Sequence, residues 1–373
     1  MKCFHCDSCD LMVFFENDRC LQCGHTLGFL PDVLDLSAIE MTPDGKGRPT
    51  AAKISGHAYH QCENGKQHHV CNWMIPDNDP NPLCPACRLN EVIPNLTDTK
   101  NVERWSKLEL AKRRCVYTFL KLGLPLEKAN DGRQGLSFRF LQDSPSSPVQ
   151  TGHENGVITV NIAEADEDER ERRRLDLHEP YRTLVGHLRH ESGHFYWDRL
   201  IAGTSNLEPY RKLFGDETLD YDAALKNYYQ QGPPAGWQDR TVTAYASSHP
   251  WEDWAETWAH YLHITDTLET AGSFGMNLSR EKGVKGGSPK VTAEALLEAE
   301  SNFDDMLARW VPLTRALNSI NRGMGLADLY PFVISPAVIE KLRFIHSVIH
   351  GAKPPLPTGG QPKAASNPQL AAA

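Results

Sequence analysis

The 373-residue sequence contains no run approaching the ~18 charge-free apolar residues that a membrane-spanning helix requires, which excludes an integral helical membrane protein. It also lacks an apolar segment after Met1-Lys2-Cys3-Phe4-His5-Cys6, so the expectation is a chain that is not exported by a signal peptide and resides in the cytoplasm. Positive charge is in deficit. Thirty-nine Lys and Arg stand against 48 Asp and Glu, a net of −9, which argues against holding nucleic acid by bulk charge. Cysteine is nearly absent beyond the first quarter: of ten, only Cys115 lies after residue 87. A disulfide scaffold would be short and secreted, so the clustered cysteines point to metal instead.

Two tetrathiolate sites can be drawn from the spacing. Cys6-x2-Cys9 and Cys20-x2-Cys23 form one pair of knuckles, with Gly24 placed where the second must turn. Cys62, Cys71, Cys84 and Cys87 form the other, with Cys3 an alternative to Cys6, and His57, His60, His68 or His69 alternatives to Cys62 or Cys71. Such sites hold up small folds that lack a core, and do no chemistry themselves. Residues 1–95 carry seven Lys/Arg and twelve Asp/Glu, and bound tetrathiolate zinc would make them more negative still. Nucleic acid is therefore not the expected partner of this module, although a protein partner is compatible with it. Phe14, Phe15, Phe29 and Trp73 read as packing residues rather than base-stacking platforms.

The rest of the chain changes character. Apolar residues at helical spacing predict a helix over 102–122, with further helices over 181–201, 251–271, 291–320 and 336–350. Alternation predicts strands at 136–140 and 157–162, the second a candidate edge for pairing an extended peptide. Loops are expected at 41–55, 76–82, 143–156 and 283–289. The charge-dense stretch 164–174 reads as a solvated helix face, and 352–373 as a disordered tail. The fold class is α+β: a zinc-ribbon module over 1–95, then a mainly helical domain with a small sheet over 100–350.

One pentad carries chemistry. His190-Glu191-Ser192-Gly193-His194 has the form H-E-x-x-H, and on a helix its two imidazoles share a face while Glu191 lies beside them. A catalytic Zn²⁺ needs a third protein ligand and an open position. The segment Tyr245 to His260 offers Glu252 and Glu256, one turn apart on a helix that Pro250 can open, among Trp251, Trp254 and Trp258. One carboxylate would ligate and the other would hold a ligand histidine. His187 reads as a helix-face residue, with leaning toward the metal as the alternative, Asp198 as a candidate to orient His194, and His260 and His263 as packing or surface residues. Residues 206–236 are long enough to cover the cleft.

The pentad followed by a Glu-bearing helix resembles the gluzincin metallopeptidases. The later block is similar to the catalytic domain of anthrax lethal factor, with Tyr245 seven residues before Glu252 and Glu256 four after it. Together with Phe14-Phe15-Glu16-Asn17, Cys20-x2-Cys23-Gly24-His25 and Arg189-His190-Glu191-x2-His194, the chain resembles, over residues 4–350, a bacterial family of zinc-binding metallopeptidases with an N-terminal ribbon. This resemblance implies a zincin-like domain acting on peptide or protein. It also implies one catalytic and one or two structural Zn²⁺, with His190, His194 and Glu252 as ligands. Glu256 would stand behind a ligand, Glu191 would be general base and Tyr245 an oxyanion donor. Three rival expectations are an amidase acting on a non-protein substrate with the same metal site, an inactive scaffold of the same fold, and a DNA-repair protease, which the acidic ribbon disfavours.

Overall fold

Short strands dominate the first ninety residues, because Gly, Pro, Asn and Asp interrupt every apolar run. The computed structural model describes residues 2–43, 46–50, 56–126, 135–144, 148–176, 183–276 and 302–351. Strand β1 (Phe4–His5) pairs antiparallel with β2 (Met12–Val13). A five-stranded sheet follows in the order β3 (Thr26–Leu30), β4 (Asp35–Met41), β5 (Gly47–Pro49), β6 (Tyr59–Gln61), β7 (Met74–Pro76), with helix α1 (Glu63–His68) inserted before β7. Strand β5 falls inside the stretch expected to be loop. Its three residues are too few to show an alternating pattern, and its pairing with β4 supplies the order.

The second sheet contains β8 (Asn90–Val92), β9 (Ser137–Leu141), β10 (Gly152–Glu154) and β11 (Val157–Asn161) in the order β10-β11-β9-β8. The strand expected as the peptide-pairing edge, β11, is interior, parallel to β9 on one side and antiparallel to β10 on the other. The edges are β8 and β10, the latter inside the segment read as loop. A tight turn with Asn155 and Gly156 at positive φ returns β10 onto β11.

Helices make up the rest: α2 (Thr99–Lys121), α3 (Glu167–Asp176), α4 (Leu184–Leu200), α5 (Leu207–Phe214), α6 (Tyr221–Gln231), α7 (Pro250–Ser273), α8 (Phe303–Gly323) and α9 (Pro336–Gly351). The architecture is α+β, a zinc-ribbon N-terminus followed by a mostly helical part with small sheets. The loop expected at 283–289, the first residues of the helix expected over 291–320 and the tail at 352–373 lie outside the described residues.

One apolar core runs through both parts. Phe15, Phe29 and Trp73 of the cysteine-rich region are buried, and the rings of Phe15 and Phe29 meet Tyr117 of α2 at 5.7 and 5.9 Å. Phe14 departs from its expected packing role, since it lies on the exposed side of the Phe14-Phe15 pair. Cys115 is the small buried residue its helical context suggested.

The close approach of α4 and α7 positions the site. Gly193 allows it: a Cβ there would sit 2.8 Å from the backbone of Ala255. Two indoles fasten the contact, Trp254 Nε1 donating to the Gly193 carbonyl at 2.8 Å and Trp258 Nε1 to Ser192 Oγ at 3.2 Å. Gly193→Ala should force the helices apart and destabilise the fold by about 1–3 kcal/mol despite alanine's better helix propensity. Urea denaturation checks this, and an unchanged midpoint would show that the approach is not limiting.

Candidate metal centres and active site

Cys6 and Cys9 flank the turn between β1 and β2, and Cys20 and Cys23 the turn before β3. Their sulfurs come together, Cys6 with Cys23 at 3.6 Å and Cys9 with Cys20 at 3.5 Å. The second set converges too, Cys71 Sγ lying 3.7 Å from Cys84 Sγ with all four cysteines buried. Four thiolates around one Zn²⁺ at ~2.3 Å would be about 3.8 Å apart, so both sets fit that ion. Backbone and ring hydrogen bonds from His25 hold the Cys23 thiol down to about 5, in the thiolate form a metal takes. The alternatives Cys3, His57, His60, His68 and His69 lie outside both clusters. Helix α2 backs the second set: Cys87 Sγ points at Glu109 Oε2, and Glu109 accepts from Trp105 Nε1 and the buried Lys112.

The third cluster joins His190 and His194 of α4 to Glu252 of α7. Helix α4 begins where the Thr183 hydroxyl accepts from the amide of Gly186. Helix α7 begins at Pro250, with His249 Nδ1 accepting from the amide of Trp251. His190 Nε2 lies 3.0 Å from Glu252 Oε2, and His194 Nε2 lies 3.6 Å from Glu252 Oε1. Ligands on one tetrahedral Zn²⁺ at ~2.0 Å would be about 3.3 Å apart. Among the described residues Glu252 Oε2 is buried and has no well-aligned donor, although His190 Nε2 lies 3.0 Å away. A buried carboxylate with one orphaned oxygen beside the His190 ring and its other oxygen 3.6 Å from His194 Nε2 is what a shared cation would satisfy.

Glu256 occupies a different place. Its Oε1 is 2.7 Å from His190 Nδ1, and its Oε2 accepts from Thr243 Oγ1 at 2.8 Å. With a cation bound, a proton kept on Nδ1 by Glu256 would leave Nε2 free to ligate. Glu191 is buried on the same helix, its oxygen 3.2 Å from His187 Nε2. Burial pushes its carboxyl up, while His187 and the two site histidines pull it below the usual range. Tyr245 packs its ring 6.0 Å from His190, and burial together with Glu252 raises its phenol well above 10, so it keeps its proton.

Several neighbours were not anticipated. Tyr221, at the start of α6, donates to Glu252 Oε1 at 2.6 Å, so part of the expected covering segment reaches the site, although no residue of α6 is buried. Trp251 lies against His194 with ring centroids 3.8 Å apart, and His153 of β10 is near-parallel to His194 at 6.3 Å. Only the aromatic density around residues 251–258 signalled any of this. Asp198 does not orient His194 through Nδ1, which has no hydrogen-bond partner among the described residues. His260 is a packing residue, bonded to the Tyr330 hydroxyl at 2.6 Å, and His263 is buried beside Arg189. His187 is a partly buried residue on the face of α4 that packs against Glu164, and Glu164 is buried rather than part of a solvated face.

Removing one group at a time separates the roles. Glu252→Ala should lower bound zinc by one ion per chain and leave the cysteine sites filled. Glu256→Ala should retain the ion with about 10- to 100-fold weaker affinity. Metal analysis after dialysis against a graded chelator reads both, and the opposite ranking would exchange the two carboxylates.

Comparison with known proteins places these residues in a wider group. A family model described as "Putative zinc-binding metallo-peptidase" matches residues 101–348, and a zinc-ribbon domain model matches residues 3–98. Uncharacterized proteins of Mycobacterium bovis and of two Mycobacterium tuberculosis strains are 41% identical over 356 residues, covering 95% of this chain and 97% of theirs. No solved structure matches, so the likeness to the lethal factor domain rests on the spacing of Tyr245, Glu252 and Glu256 alone. Two histidines and a carboxylate converging across α4 and α7, behind a cysteine-rich ribbon, agree with what the family model describes, and the chain belongs to this zinc-binding metallopeptidase family.

Proposed function

We propose that the chain is a zinc-dependent metalloendopeptidase of the gluzincin type. Residues 100–350 would form the catalytic domain and residues 1–95 a ribbon with two structural Zn²⁺ sites, Cys6/Cys9/Cys20/Cys23 and Cys62/Cys71/Cys84/Cys87. The observation that carries this reading is the convergence of His190, His194 and Glu252, with Glu191 buried one residue along from His190. Those three side chains would hold the catalytic Zn²⁺, and Glu256 would keep His190 in the ligating tautomer. When bound, zinc supplies Lewis acidity and brings the pKa of a water toward about 7.

The protein's own groups do the rest. A carboxylate of Glu191 receives the proton of the attacking water and returns it to the departing amine nitrogen. The Tyr245 hydroxyl, kept protonated by its burial, donates to the oxygen of the scissile carbonyl as it becomes negative; one such donor is typically worth about 3 kcal/mol. Strand β10, the edge of its sheet that contacts α4, offers backbone groups to an extended peptide. Ten cysteines without a disulfide among them suit a reducing compartment such as the cytoplasm.

Glu191→Gln tests the proposal. It should keep the full zinc content and the same melting temperature, and lose turnover of a peptide library by at least about 100-fold. Library cleavage that is unchanged in the variant would refute the base assignment. A protein that binds three zincs and cleaves no peptide would favour a non-protein amide substrate or a scaffold.

A further inference from the structure

A buried acidic side chain near the site has no role in the account above. Glu164 lies in the single 3₁₀ turn Ile162–Ala165 that follows β11 and is 1% exposed. Its Oε1 accepts from the hydroxyl of Thr151 at 2.7 Å, and Thr151 Oγ1 accepts in turn from the amide of Asn161. Its Oε2 lies 2.7 Å from His187 Nδ1. The other nitrogen of the same ring, Nε2, lies 3.2 Å from Glu191 Oε1, one helical turn further along α4. One imidazole therefore bridges two carboxylates, one from the sheet side and one from the site.

We propose that Glu164 and His187 form a positioning pair that fixes the carboxylate of Glu191. Carboxylates accept and do not donate, so a ring that touches one with each nitrogen, and stands outside the cluster that could hold a cation, carries a proton on both. His187 donates Nδ1–H to Glu164 and pairs with Glu191 through its charged Nε2 side. This leaves the second oxygen of Glu191 for proton transfer. Glu164 is itself set by the turn after β11 and by Thr151, so the orientation of the base is referred to a rigid sheet rather than to its own flexible stem. The charge state agrees: burial alone would lower His187, but Glu164 and Glu191, the acidic groups facing it from the 3₁₀ turn and from α4, raise it to about 9. The inference rests on Glu191 being the base, whereas the pairing itself does not.

The experiment therefore has two arms. With ¹⁵N-histidine in the full chain, the first arm reads the ring nitrogens of His187 with and without zinc. Both nitrogens should be protonated at pH 7.5 and the ring should titrate near pH 9; in Glu164→Gln the titration should fall back toward 6.5. A neutral His187 with a single ring N–H at pH 7.5 in the wild type would overturn the pairing. The second arm measures turnover of a fluorogenic peptide drawn from the library. Glu164→Gln and His187→Ala should lower kcat about 10- to 100-fold at nearly constant KM and zinc content, and His187→Gln should recover part of the loss through its side-chain amide. Unchanged kcat in His187→Ala would overturn the positioning role. If the wild type cleaves nothing, the peptidase reading fails and the ring-nitrogen arm still decides the pairing.

Discussion

The packing of α4 on α7 is the contact on which the rest depends. Neither helix carries a complete site. Helix α4 brings two imidazoles and the buried Glu191, and helix α7 brings Glu252 and Glu256. They become one cluster because Gly193 lets the backbones touch and because Trp254 and Trp258 donate into the two residues between the histidine-glutamate pair and His194. The residues left unspecified by H-E-x-x-H are thus the ones that hold the second helix. Burying so many polar groups there is costly unless each is paired. Thr243 and His190 pair Glu256, Tyr221 pairs the Glu252 oxygen nearer His194, and the remaining Glu252 oxygen is the one that faces His190.

Helix α2 transmits order from the cysteine-rich region to this contact. On one side Tyr117 meets Phe15 and Phe29, and Glu109, Lys112 and Arg113 surround the second cysteine cluster. On the other, the Tyr117 hydroxyl donates to Glu269 and the Thr118 hydroxyl to Asp266, and Asp266 also pairs with Arg189, the residue before His190. A small metal-held fold with little apolar area of its own gains a core by sharing one with the helices. The ribbon in this chain is therefore part of the scaffold of the site, whatever else it contacts.

What the sequence disclosed follows physical lines. The pentad, the helix opened by Pro250 and the two sets of cysteines were legible because their signals are local: fixed spacings on one helix or one turn. The choice between Glu252 and Glu256 was open in the bare spacing, since both lie one turn apart on one face. Only the position of α4 separates a carboxylate on Nε2 from one on Nδ1. Glu164 was hidden because it begins a run of charges, and composition averages a buried first residue with its solvated followers. The edge strand β10 was hidden by its length, three residues that show no alternation. Tyr221 reaches Glu252 across 31 positions from an otherwise exposed helix, and no periodicity encodes that contact.

Anomalous diffraction at the zinc edge from crystals of the purified chain tests the central claim most directly. The account expects three peaks: one inside each set of four cysteines, and a third within about 2.0–2.2 Å of His190 Nε2, His194 Nε2 and a Glu252 oxygen. Two peaks confined to the cysteines, or a third centred on Glu256 with Glu252 turned away, would contradict it.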